Sequence, residues 1–195
     1  MSMLIMLSGL LLFLGVHSVR IFADDWRERQ RQKRGVDTWR GAYSALSLLG
    51  IGLLVWGFGM VREAPVVLWT PPLGMRHATS LFTLMAFILL AAAYVPGNAI
   101  KARVYHPMLA GVQLWAVGHL LSNGNLAHVI LFGSFLAWAV VDFMAARQRD
   151  RRNPSSQQPP TTAKATAITV VVGVVSWAVF AFWLHGWLIG VKPFG

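Results

Sequence analysis

The sequence predicts an all-α, polytopic transmembrane helix bundle of about six spans, with both termini on the non-cytoplasmic side. Three observations carry this. Apolar residues make up 56% of the chain and charged residues 12%, more apolar residue than a soluble domain of this size needs. They gather in runs of about 20, the length a helix needs to cross hydrocarbon, and at this composition only helices satisfy their own backbone inside lipid. The cations lie in blocks beside those runs. Of 17 Lys and Arg residues, seven fall in 20–40, two in 96–106 and five in 147–165, leaving Arg62, Arg76 and Lys192. Six crossings put the three rich segments on one side, which the positive-inside bias makes cytoplasmic. The net charge of +10 is therefore a topology signal and a set of lipid headgroup contacts, and a nucleic-acid partner is not expected.

Each element follows in order. Span one covers 3–22. It lacks a leading basic segment and an A-x-A cleavage site, so it reads as a retained span rather than a removed signal peptide. Residues 24–34 are polar and helix-favouring. Span two, 39–61, carries Gly50, Gly52, Gly57 and Gly59, small residues that let helices approach closely. Trp69-Thr70-Pro71-Pro72 breaks the helix. Span three, 77–95, ends at Pro96-Gly97-Asn98. Span four opens at His106-Pro107, where proline suits a first helical turn, and stops at Ser122-Asn123-Gly124-Asn125. Its apolar length is short for a full crossing, so a buried or re-entrant helix is an alternative. Span five covers 126–146, a flexible cytoplasmic linker 147–165, and span six 166–189. No separate soluble domain fits, so residues 1–195 are expected to form one domain.

The chain has no cysteine, which excludes disulfides, thiolate zinc sites, cysteine-bound iron–sulfur clusters and covalent haem attachment. There is no Ser-His-Asp arrangement, glycine-rich phosphate loop or helical His-Glu-x-x-His. The chemistry-bearing feature is histidine. Five of six, His17, His77, His106, His119 and His185, sit in or at the mouths of spans, while His128 reads as interfacial. A titratable ring in hydrocarbon is costly and marks a partner, a ligand or a function. Several imidazoles in one small bundle suit a metal or haem iron; a hydrogen bond to a neighbouring helix is the alternative for each taken singly. Arg20, one turn beyond His17, is either a snorkelling anchor or a partner for an acidic ligand group. Arg76 beside His77 allows the same two readings. Asn123 shares a face with His119 and either orients that ring or caps the helix. Trp115, also on that face, can stack on a flat cofactor or simply pack. Trp138 and Asp142, four residues apart on span five, can form a polar contact.

The combination Leu68-Trp69-Thr70-Pro71-Pro72, Arg76-His77, Val95-Pro96-Gly97-Asn98, His106-Pro107-Met108-Leu109-Ala110-Gly111-Val112, Trp115, His119-Leu120-Leu121-Ser122-Asn123-Gly124 and Leu131-Phe132-Gly133-Ser134-Phe135 resembles the NnrU family of bacterial membrane proteins over nearly the whole chain. That family takes its name from a link to nitrite and nitric oxide reduction, and is similar to plant 15-cis-zeta-carotene isomerase, a membrane enzyme that uses haem b. The shared features here are His17-Ser18 and His106-Pro107, Trp115 and His119; Ala116 stands where the isomerase has a cysteine. The resemblance implies a bacterial inner-membrane protein with haem b ligated by His17 and His119. It implies nitric oxide or a hydrophobic small molecule as partner, acting in denitrification or as a haem-dependent cis–trans isomerase. A non-enzymatic assembly or regulatory factor for denitrification is the competing class, and a small proton-coupled transporter a third.

Overall fold

A computed structural model of the protein describes residues 1–152 and 160–194. The described chain is helical: α1 Ser2–Phe22, α2 Asp24–Arg34, α3 Val36–Val61, α4 Met75–Tyr94, α5 Ala99–Val104, α6 Pro107–Ser122, α7 Leu126–Arg152 and α8 Ala163–Val179. A π-helical turn, Phe180–Leu184, joins α8 to the short α9, His185–Ile189. Among the described residues five rods are long and apolar enough to cross a membrane: α1, α3, α4, α7 and the continuous run Ala163–Ile189. Their surfaces agree. Leu48 is 70% exposed, Trp56 60% and Val171 60%, apolar area on a scale that water does not tolerate and lipid does. The chain is a multi-pass membrane protein.

The predicted fourth span is the exception. α6 has 16 residues, about 24 Å at ~1.5 Å per residue, against a hydrocarbon core of about 30 Å. Pro107 occupies its first turn as expected. The linker expected at 147–165 is shorter at both ends. α7 continues to Arg152 and α8 opens at Ala163, because Arg and Gln are good helix formers once a helix is under way. The middle of that linker, 153–159, lies outside the described residues.

The chain falls into two compact units. The first comprises Met1–Trp69 and Asn125–Ser134. Its centre is the α1–α3 pair, which meets backbone to backbone. A Cβ on Gly57 would collide with the amide nitrogen of Met6, and one on Gly9 with that of Leu54. One on Gly50 would lie 2.8 Å from the nitrogen of Phe13. Gly50 and Gly57 are seven residues apart, two turns along one face. Gly52 and Gly59, by contrast, face open space. Met6 is fully buried at this seam. α2 buries nothing; it carries the ion pairs Asp24–Arg27 and Glu28–Arg31, and Trp26 meets Trp39 edge-on at 5.7 Å. Past α3, Val67 and Asn125 form an antiparallel bridge, and the Leu126 amide donates to Val66 O.

The second unit comprises the described residues of Thr70–Gly124 and Phe135–Gly195. Here α4 packs against α6 and α8. Thr79 Oγ1 donates across to Gly118 O at 2.6 Å, and Trp177 Nε1 donates to Thr83 Oγ1 at 3.1 Å. Gln113 Nε2 donates to Ala139 O at 3.1 Å. Asn98, 2% exposed, ends α4 and starts α5. Its amide donates to Ala92 O and Val95 O, while its oxygen accepts from the Lys101 amide. The same corner is tied to α8 through Thr162 N–H to Gly97 O and Ala99 N–H to Thr166 Oγ1.

Candidate functional site

His17 and His119 share one local geometry. Each lies near the C-terminal end of its helix and turns its ring back one turn. His17 Nδ1 donates to Phe13 O at 2.7 Å, and His119 Nδ1 to Trp115 O at 2.8 Å. A carbonyl can only accept, so Nδ1 carries the proton and the lone pair of the neutral imidazole falls on Nε2. Metal-ligating histidines characteristically give their other N–H to a carbonyl or carboxylate, which fixes tautomer and ring orientation. Both rings sit among aromatics. His17 lies 4.2 Å from Phe13 and 5.2 Å from Tyr43. His119 lies 5.2 Å from Trp115, which meets Phe135 edge-on at 5.6 Å. Both histidines are half-buried.

The neighbours expected around them divide. Asn123 Nδ2 donates to His119 O at 2.8 Å, so its role is to close the end of α6. Arg20 is exposed in the last turn of α1.

The other histidines have their own settings. His106, at the N-cap of α6, places Nε2 2.8 Å from Asp150 Oδ2, and Phe143 meets its ring edge-on at 6.0 Å. Beside it Tyr105 holds φ +66°, a region a non-glycine residue rarely adopts. The Arg147 guanidinium lies 4.1 Å from the Tyr105 ring centre. His185 Nδ1 donates to Val191 O at 2.7 Å, and its ring meets Phe180 edge-on. His77 is exposed in the first turn of α4, where it shares an open hollow with Arg76, Leu73, Pro193 and Phe194.

Among the described residues no group of three or more His, Asp or Glu is placed to hold a metal ion. Haem iron makes a smaller demand, because the macrocycle supplies four ligands and the protein needs one or two. A donor set of imidazoles tethered through Nδ1 fits that group.

A family model described as NnrU protein matches residues 5–193. The chain belongs to the NnrU family. No curated protein and no solved structure matches it. In this NnrU protein the matched segment takes in all six histidines and both units.

Two residues outside the expected site stand out. Asp150, inside the expected linker, is the partner of His106. His128, read as interfacial, is half-buried, edge-on to Phe58 at 5.2 Å and stacked with Phe132 at 6.0 Å. Its Nδ1 is buried with no hydrogen-bond partner among the described residues. The available signal was its place in the first turn of a span, three residues after the Asn125 bridge. Asp142 pairs with Arg149 at 3.4 Å.

Proposed function

We propose that this NnrU protein is a haem b protein of the bacterial inner membrane, with His17 and His119 as iron ligands. The observation that carries the reading is the Nδ1 tether common to the two residues that the family resemblance singles out. The tether puts the lone pair of each ring on Nε2, the nitrogen through which it would ligate iron. With no cysteine in the chain, the group would be held by ligation and packing alone. Trp115 would offer a flat aromatic wall, and Arg20, exposed at the polar end of α1, a cation for a propionate. The haem, when bound, supplies a redox-active iron that the side chains of this protein cannot.

The topology belongs to the same reading: six crossings with α6 as a short sixth, and both termini outside, following the cation blocks. The role that fits is nitrogen-oxide metabolism, with nitric oxide as the small ligand. Cis–trans isomerisation of a hydrophobic polyene is the alternative carried by the resemblance. Ala116, fully buried, brings a methyl group and no thiol to α6, which favours the first role.

The test is an absorption spectrum of detergent-purified protein made with haem supplied during expression. A Soret band is expected, with its haem content lowered in His17→Ala and His119→Ala and retained in His185→Ala. A colourless protein, or a spectrum indifferent to the first two substitutions, refutes the proposal.

A further inference from the structure

The far end of α8 is costly in a way that core packing does not require. The helix widens into a π turn at Phe180–Leu184, where the His185 amide donates five residues back to Phe180 O. Such turns recur at functional sites. α9 then stops at Gly190, in the left-handed region at φ +75°. His185 Nδ1 hooks Val191 O, and the chain folds back so that Phe194 stacks on Phe182 at 5.0 Å and meets Trp177 edge-on at 6.0 Å. Three separate devices therefore seat Pro193 and Phe194. What they build is one wall of the open hollow, about 350 Å³, whose other lining residues are Leu73, Arg76 and His77.

The lining combines apolar Leu73, Pro193 and Phe194 with the Arg76 guanidinium and the His77 ring. Among the described residues the Arg76 side chain has no carboxylate within ion-pairing distance and His77 none either. Lys192 adjoins the wall. Only three cations of the chain lie outside its basic blocks, and one of them, Arg76, lines this hollow. We propose that the hollow is a binding site for a small amphipathic oxyanion, a carboxylate on a short apolar body. Arg76 takes the carboxylate as a fork, His77 adds a donor, and the body lies on Leu73 and Phe194. Arg suits a planar oxyanion because its paired N–H groups match it bidentately. This site is independent of the haem reading.

The probe is isotope-labelled octanoate, measured by equilibrium dialysis against the full chain in phosphatidylcholine nanodiscs, with empty nanodiscs subtracted. Saturable binding is expected, weakened roughly tenfold or more in Arg76→Gln, as loss of a charge-assisted bond implies. Arg76→Lys should keep part of it, and Phe194→Ala should weaken it without changing the fold of α8 by circular dichroism. Octanol should not compete. Equal binding in Arg76→Gln, or equal competition by octanol, overturns the proposal. Displacement by inorganic phosphate, or by phosphatidylglycerol added to the nanodiscs, also overturns it and assigns the hollow to a free anion or to a lipid headgroup.

Discussion

The two units solve the same problem with different chemistry. Two helices in lipid gain nothing from hiding apolar surface, because the lipid is as apolar as they are, so they need close contact or polar links. The first unit uses closeness: Gly9, Gly50 and Gly57 bring α1 and α3 together with no room for a Cβ. The second also has close glycines, with a Cβ on Gly118 falling 2.9 Å from Phe82 Cβ, but threads hydroxyls through the contact. Thr79 and Thr83 on α4 reach α6 and α8. A glycine seam fails all at once when a side chain is added, whereas a hydroxyl link fails by the worth of one bond.

The largest effect should therefore fall on the seam. Gly57→Leu is expected to cost about 3 kcal/mol or more, the upper end of overpacking penalties, because the obstacle is backbone rather than a movable side chain. Reversible unfolding in mixed micelles measures it. Gly59→Ala, on the open side of the same helix, should be neutral or stabilise by up to about 1 kcal/mol, since alanine favours the helix. If both substitutions cost the same, the seam is not what holds α1 to α3. Next comes Thr83→Val, which strands the Trp177 indole N–H. A loss of roughly 1 kcal/mol is expected, in the range of hydrogen bonds between membrane helices. Smallest is the His106–Asp150 link, which is part exposed. A double-mutant cycle with His106→Ala and Asp150→Ala should return a coupling of about 0.5–1 kcal/mol that shrinks in high salt. A coupling that ignores salt would show that the contact is not ionic.

Much of the fold was legible because long apolar runs in lipid have one solution. The expected span ends at 22, 61 and 95 fall within one residue of the ends of α1, α3 and α4, and α4 stops just before Pro96-Gly97-Asn98. What was hidden had no local signature. Residues 147–152 carry no apolar period, so their helix was not visible; it exists because α7 propagates it. Four glycines in span two looked equivalent, and only packing separates Gly50 and Gly57 from Gly52 and Gly59. The partner of His106 lies 44 residues away, beyond any spacing rule. The back-turned rings of His17 and His119 were within reach of sequence reasoning, since any helical histidine can address the carbonyl one turn earlier. The aromatic company each ring keeps was not.

The widened turn at Phe180–Leu184 has a consequence for the phase of everything after it. Each residue of a regular helix advances about 100° around the axis, and a π turn absorbs one residue more than an α turn. Deleting a single residue there would let the rod close into regular α turns while leaving Trp187 and the tail's point of departure at nearly the same azimuth, because the wide turn takes up its extra residue locally. A chain in this family that is one residue shorter in that stretch would lose the wide turn yet keep its C-terminal aromatic residues on the same side of the helix, whereas a deletion elsewhere in the rod would turn them by about 100°.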